Sequence, residues 1–156
     1  MGGNDMTSGS ANDESDRGGV QPFHLAFTVR NLDETRAFYH GVLGCLPGRS
    51  SPTWTDFSLY GHQMSAHLGE RPAHEAQGSV GGKQVPIPHF GVILTMAQFD
   101  DLVRRLEAWS GTDWLIRPNI RFKGEPGEQA TLFIRDPSGN ALEFKAFASR
   151  EAIFAT

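Results

Sequence analysis

Four residues of the types that bind transition metals lie far apart in the sequence but at comparable places in it. His24 and His89 each stand just inside an apolar, strand-like segment, within P-F-H and I-P-H. His67 and Glu143 each lie in the last strand-like segment of one half of the chain. Imidazole nitrogen and carboxylate oxygen together form a donor set for a divalent transition metal. We therefore expect the four side chains to converge on one metal ion.

Glu143 is the member of this set that most needs an explanation. It lies between Leu142 and Phe144, in a strand that should be half buried. A buried carboxylate without a partner is costly, so a cation is expected beside it. That cation could be a metal ion, or it could be Lys145, which lies two residues along on the same face of the strand.

The elements that position these residues repeat in the two halves of the chain, 21–68 and 85–147. In each half, a strand is followed by a helix with a start signal, which is Asn31 with Glu34 in the first half and Thr95 with Gln98 in the second. Gly44 marks the end of the first helix. Both halves are then predicted to be βαβββ, which gives an α+β fold. The remaining predicted strands are TWTDFSLY, HQMSAHL, WLIRPNIRF, QATLFIRD and ALEFKAF, with VPIPHFGVILT as the first strand of the second half.

The segments outside the two halves are predicted to carry no regular structure. Residues 1–19 are polar and rich in Gly, Ser and Asp, so we expect a disordered tail before a single domain over 20–150. Residues 69–84, GERPAHEAQGSVGGKQ, are typical of a linker or flexible loop.

The composition excludes several classes of partner. A net charge of −4 argues against nucleic acid, which requires clustered Lys and Arg. No apolar run is long enough to span a bilayer, and no secretory or transit signal is recognisable, so we expect a cytoplasmic protein. The one cysteine, Cys45, cannot form a disulfide within the chain and is expected to be structural.

Two motifs, FHLAFTVRNLDETRAFYHGVLG near the start and DPSGNALEFKAF near the end, resemble those of the vicinal oxygen chelate superfamily. This superfamily contains glyoxalase I, extradiol dioxygenases and bleomycin-resistance proteins. The resemblance covers roughly residues 21 to 147. It implies paired βαβββ modules whose mixed β-sheet curls around a metal site, and it implies a homodimer, because proteins of this group often dimerise.

The resemblance also implies which residues hold the metal. The positions carried over are His24 and His89 in the first strands, Glu143 in the last strand, and His67 in the last strand of the first module. Glyoxalase I usually has a glutamate where we place His67, and that glutamate is a ligand and a base. The triad of His24, His89 and Glu143 instead matches extradiol dioxygenases, which use Fe(II). We therefore expect Fe(II), with Ni, Mn or Zn as alternatives, and a catalytic role for Glu143 and for His67 as a fourth ligand or an acid/base.

Three functions are compatible with this sequence. The first is a dioxygenase-like enzyme acting on a small substrate that chelates the metal through adjacent oxygens. The second is a glyoxalase-type lyase or isomerase, and the third is a metal-free protein that binds a small molecule. Arg121, Lys123 and Lys145 are the candidates to hold an anionic substrate, although charges near turns also commonly just face water.

Overall fold

Ten strands and two principal helices make up the protein in the computed structural model, which describes residues 19–71 and 75–155. The predicted disordered tail lies almost wholly outside the described residues. The elements are β1 His24–Val29, α1 Leu32–Arg36 continued by a π-helical segment Ala37–Val42, β2 Leu46–Ser50, β3 Trp54–Leu59, β4 His62–Leu68, β5 Ala76–Val80, β6 Lys83–Ile87, β7 Ile93–Leu94, α2 Met96–Ala108, β8 Asp113–Arg121, β9 Gln129–Arg135, β10 Ala141–Phe147 and a final 3₁₀ turn Glu151–Phe154.

The strands form two four-stranded mixed sheets with the same topology. Sheet one has the order β1-β4-β3-β2 and sheet two has the order β7-β10-β9-β8. In each, the first strand of the module runs parallel to the last, and the other pairs are antiparallel. The predicted α+β fold with paired βαβββ modules is confirmed.

Both helices begin where the sequence predicted. The Asn31 side chain accepts a hydrogen bond from the backbone N–H of Glu34, and Thr95 forms a reciprocal capping box with Gln98. These side chains satisfy N–H groups that the first helical turn leaves without a partner. The first helix stops at Gly44, whose φ of 76° suits glycine.

The helices and the apolar faces of both sheets share one hydrophobic core. Phe38 and Tyr39 from the first helix, Leu102 from α2, and Phe144 from β10 are essentially fully buried in it. Contacts cross between the modules, including the rings of Tyr60 and Phe144, whose centroids are 6.5 Å apart. The opposite, more polar face of each sheet therefore points away from the shared core.

The predicted linker and the predicted first strand of the second half both need correction. Residues 76–80 pair with 83–87 as a β-hairpin, so most of the supposed linker that the structure describes is ordered. The segment VPIPHFGVILT is not one strand, because its first part belongs to this hairpin and only Phe90 and β7 reach sheet two. Pro88 has no N–H to donate, which is a reason for the break.

No helix in the described part of the chain is both long and apolar enough to cross a bilayer.

Candidate functional site

Glu143 sits at the centre of a polar cluster on the face of sheet two that lies opposite α2. Its carboxylate is nearly buried, and one oxygen, Oε1, accepts a hydrogen bond of 2.9 Å from the Thr131 hydroxyl. The other oxygen, Oε2, lies 3.1 Å from Nε2 of His89 and 3.6 Å from Nζ of Lys145. The cation expected beside Glu143 is therefore present as Lys145, and a histidine shares the same oxygen.

The ring of His89 is oriented by its other nitrogen. Nδ1 lies 2.6 Å from the carbonyl oxygen of Pro86, and a carbonyl can only accept, so Nδ1 carries a proton and donates it. Nε2 of a neutral ring then presents a lone pair toward the Glu143 carboxylate. Nε2 and the carboxylate oxygen are then both hydrogen-bond acceptors, and they repel each other unless a proton or a metal ion lies between them.

Gly91 brings the segment after His89 against the backbone of β10. A β-carbon at Gly91 would overlap the carbonyl of Glu143, so a side chain there would force the two segments apart. The Glu143 N–H donates to the Phe90 carbonyl at 2.9 Å on one side of this contact. The close approach sets His89 and Glu143 side by side.

The two candidate residues of the first module, His24 and His67, lie on sheet one. Both are exposed, and both are on the face opposite the helix. His24 is paired with Gln63, so His67 lies four residues farther along β4, about 13 Å at the usual rise per residue. His67 instead packs near the Trp54 ring, with centroids 6.4 Å apart. His24 and His67 of one chain are therefore too far apart to share a metal ion.

The strand register also corrects the predicted equivalence of His67 and Glu143. Leu25, which follows His24, pairs with Met64, just as Phe90, which follows His89, pairs with Leu142. The residue equivalent to Glu143 is thus the one after Met64, which is Ser65.

Ser65 donates to the buried carboxylate of Asp56 at 2.6 Å and offers no second carboxylate ligand of its own. His67 corresponds to Lys145, because His67 lies two residues after Ser65 and Lys145 lies two residues after Glu143. His24 and His89 remain equivalent, as the sequence predicted.

The predicted convergence of four ligands does not occur within one chain. Across residues 19–71 and 75–155, no three His, Cys, Asp or Glu side chains lie close enough together to hold a metal ion. The structure brings together His89 and Glu143 but leaves His24 and His67 on the other sheet.

The three predicted substrate residues have different environments. Lys145 contacts Glu143, and Arg121 is buried near the same cluster, at the end of β8. Lys123 is exposed in the turn that follows β8, and no ion pair or hydrogen bond among the described residues joins it to the cluster.

Sequence reasoning missed two residues that shape this site. Thr131 was not singled out, although its place two residues before Phe133 in a strand puts it on the same face. Phe133 is buried, its ring packs edge-on against His89 at 5.0 Å, and the Arg121 guanidinium lies 5.5 Å from the ring centre on the same face.

Comparison with known protein families identifies the superfamily of this chain. Residues 21–144 match the family model of the glyoxalase/bleomycin resistance protein/dioxygenase superfamily. The chain belongs to this superfamily. A solved member from Alicyclobacillus acidocaldarius, described only by the same three names, is 31% identical, with a TM-score of 0.72 over 86% of this chain and 96% of that one.

More distant members of the superfamily share the fold. Lactoylglutathione lyase from Agrobacterium tumefaciens is 21% identical, with a TM-score of 0.56 over 82% of this chain and 94% of that one. The fosfomycin resistance protein FosX from Listeria monocytogenes, solved with Mn(II) and sulfate, is 18% identical, with a TM-score of 0.60 over 87% and 94%. At these identities the likeness concerns the fold alone.

The surroundings of His89 and Glu143 are those that metal ligands usually have. A metal-ligating histidine usually donates its second N–H to a carbonyl or carboxylate, and His89 does so to Pro86. A ligating carboxylate is usually hydrogen-bonded itself, and Glu143 accepts from Thr131. By contrast, burial raises the pKa of the Cys45 thiol to about 12, so that cysteine is neither a ligand nor a nucleophile at neutral pH.

Proposed function

We propose that this protein is a metal-dependent, dioxygenase-like enzyme that acts on a small substrate bearing two adjacent oxygens. His24, His89 and Glu143 would hold the metal, with Fe(II) as the favoured ion. The observation that carries the proposal is the His89–Glu143 pair, in which Nδ1 is already committed to a carbonyl and Nε2 faces a carboxylate 3.1 Å away.

The donor set favours this chemistry over a glyoxalase-type reaction. Two histidines and one carboxylate leave several coordination positions open, which is typical of Fe(II) enzymes that bind substrate and O₂ together. Bound there, the metal would act as a Lewis acid toward the substrate oxygens. Ser65 occupies the position equivalent to Glu143, so the second carboxylate that would serve as a base in a glyoxalase is missing from it.

Neighbouring groups of the protein hold the side chains of Glu143 and His89 in position. The Thr131 hydroxyl holds one oxygen of Glu143, and the Pro86 carbonyl fixes the ring of His89. Lys145 lies 3.6 Å from the same carboxylate and is about one-third exposed, so its ammonium can also contact an anionic or polar substrate group.

A second copy of the chain would supply His24. Within one chain His24 lies on the polar face of sheet one, and His89 and Glu143 lie on the polar face of sheet two. In a two-fold dimer, the polar face of sheet one in each chain would contact the polar face of sheet two in the other chain. This contact is made twice, which generates two equivalent sites. The separation of the ligands within one chain supports the proposed homodimer.

Metal content of purified variants tests this assignment. Protein prepared without chelator should carry stoichiometric metal, whereas His24→Ala and Glu143→Gln should each lose it. His67→Ala is the matched control, an exposed histidine on the same sheet as His24, and it should keep its metal. If His24→Ala and Glu143→Gln both retain stoichiometric metal, the ligand assignment is wrong.

Mixing the two defective variants tests the shared site. Unfolding and refolding His24→Ala together with Glu143→Gln should restore about a quarter of the wild-type metal, because half of the reassorted dimers are hybrids with one intact site of two. No recovery, when wild-type protein refolds with full metal, would show that the ligands are not shared between copies.

Oxygen uptake separates the candidate reactions. Consumption of O₂ with catechol-type substrates supports a dioxygenase, and turnover of hemithioacetals without O₂ would support a lyase or isomerase. Absence of any affinity for divalent metals would instead favour a metal-free binding protein.

A further inference from the structure

Arg121 is a nearly buried cation, and no carboxylate within the described residues forms an ion pair with it. Only 7% of the residue is exposed, and its Nε and Nη2 atoms have no hydrogen-bond partner in the described part of the chain. Its neighbour across the strand pair, Gln129, is 6% exposed and has an unpartnered side-chain oxygen. Buried polar groups are almost always paired, and a buried charge even more so.

The two unpartnered nitrogens form one edge of the guanidinium. The N–H of Nε and one N–H of Nη2 lie parallel along that edge, at the spacing of two oxygens of a carboxylate, phosphate or phosphonate. The free groups of Arg121 therefore match the geometry of a two-point oxyanion contact.

Arg121 lies on the same face of sheet two as Glu143. It pairs with Gln129, and Gln129, Thr131 and Phe133 alternate along β9 on the face that also bears Glu143. The Phe133 ring lies between the two groups, 5.5 Å from the Arg121 guanidinium carbon and 5.0 Å from the His89 ring.

The ring also explains how the cation is tolerated before a ligand binds. A guanidinium over an aromatic face gains electrostatic attraction to the ring, but it gains no hydrogen bonds. The attraction leaves the hydrogen-bonding capacity of both N–H groups unused.

We propose that Arg121 is a substrate-binding residue that pairs with an oxyanion group of the substrate, across the Phe133 ring from the metal-chelating end. Only the metal-chelating end of this substrate rests on the proposed function, and the oxyanion end does not. The substrate class is thus a molecule with two adjacent oxygens at one end and a carboxylate or phosphonate at the other.

Binding of simple anions to the metal-free protein tests the site without reference to activity. Benzoate and phenylphosphonate should bind to the wild type, and neutral benzamide, of the same size as benzoate, should bind at least tenfold more weakly. Arg121→Met removes the charge and keeps much of the volume, and it should abolish the preference for the anions. The preferred oxyanion distinguishes a carboxylate substrate from a phosphonate or phosphate one.

Arg117→Met is the matched control. Arg117 lies on the same strand and stacks on Trp114 at 5.3 Å, but it is exposed. It should bind benzoate as the wild type does. Equal loss in both variants, or equal binding of benzoate and benzamide to the wild type, would overturn the proposal.

Thermal unfolding keeps the proposal testable if anion affinity is low. Because the buried charge is unpaired in the free protein, Arg121→Met should have an unfolding midpoint equal to or above that of the wild type in anion-poor buffer. Added phosphate should raise the midpoint of the wild type and not that of the variant. A large fall in the midpoint of Arg121→Met would mean that an acid, for example from a second copy, already pairs with it, and would overturn the proposal.

The metal-loaded protein separates this inference from the proposed function. The wild type should bind 3,4-dihydroxybenzoate tenfold to hundredfold more tightly than catechol, and Arg121→Met should bind both equally. If anions bind through Arg121 but added metal tightens the binding of neither catechol nor 3,4-dihydroxybenzoate, the proposed function fails and the oxyanion site stands.

Discussion

At the scale of single residues, the site depends on how Glu143 and His89 are held. One atom of each side chain forms a hydrogen bond within the protein. Oε1 of Glu143 accepts from the Thr131 hydroxyl, and Nδ1 of His89 donates to the Pro86 carbonyl. The remaining atoms, Oε2 and Nε2, face each other 3.1 Å apart. Orientation by such partners commonly changes metal affinity by about tenfold to hundredfold.

Thr131→Val should therefore weaken metal binding by about tenfold to hundredfold, because it removes the hydrogen bond to Glu143 while keeping the shape of the side chain. Competition with a metal-indicator dye measures the affinity. Thr131→Ser keeps the hydroxyl and should bind metal nearly as the wild type does. Equal weakening in both variants would show that packing, and not the hydrogen bond, is what matters.

At the scale of elements, the hairpin β5–β6 (76–80 and 83–87) contributes to the site through the Pro86 carbonyl. The hairpin is anchored at its start, where Glu75 forms two hydrogen bonds of 2.9 Å with Arg135 at the end of β9. Glu75 has about one-fifth of its side chain exposed, so this contact is partly screened by solvent. It nevertheless ties the hairpin to sheet two, beside the candidate site.

The Glu75–Arg135 pair should make stability depend on pH in the acid range. Hydrogen bonds from Arg135 lower the pKa of Glu75 below its usual 4.5, so the stabilisation is complete above the unfolded-state value and is lost as pH falls through the folded-state value. Glu75→Gln should lower the free energy of unfolding by up to about 1 kcal/mol at pH 7. The difference from wild type should shrink toward zero below pH 4.5 in urea titrations.

Glu107→Gln, an exposed glutamate on α2, is the control for this titration and should show little effect at either pH. A Glu75→Gln difference that persists undiminished in acid would contradict the ion-pair explanation.

At the scale of the whole molecule, the D-P-S-G-N turn joins the two modules. One oxygen of Asp136 accepts from the backbone N–H groups of Ser138 and Asn140, and the other accepts from the hydroxyl of Tyr39 in the first helix. The Asn140 side chain donates to the Thr28 carbonyl at the end of β1. Burial raises the pKa of Asp136, and these donors partly offset that effect.

Tyr39→Phe should therefore destabilise both modules together. It removes a hydrogen bond to a buried carboxylate, which should lower the free energy of unfolding by about 1.5–3 kcal/mol. Unfolding in urea should remain a single transition, with circular dichroism and tryptophan fluorescence coinciding, because the modules share one core. Two separated transitions would contradict that cooperativity.

Local signals were enough to predict most elements of this protein. The caps at Asn31 and Thr95, the stop at Gly44 and the alternating strands depend on residues a few positions apart, and such interactions can be read along the chain. The burial of Glu143 could also be predicted, because its neighbours Leu142 and Phe144 are apolar. The hairpin at 76–80 and 83–87 was missed because its residues are mostly polar and small, with little strand preference.

The sequence by itself determined the βαβββ repeat, the family motifs and the pairing of His24 with His89 as equivalent positions. Only the tertiary structure decided that Ser65, and not His67, corresponds to Glu143, and that His24 lies on a different sheet from His89 and Glu143. Side chains within one strand follow a fixed two-residue period, whereas register and sheet association depend on partners far away in the chain. A shift of two residues preserves the face of every side chain, so the pattern of apolar and polar residues could not reveal it.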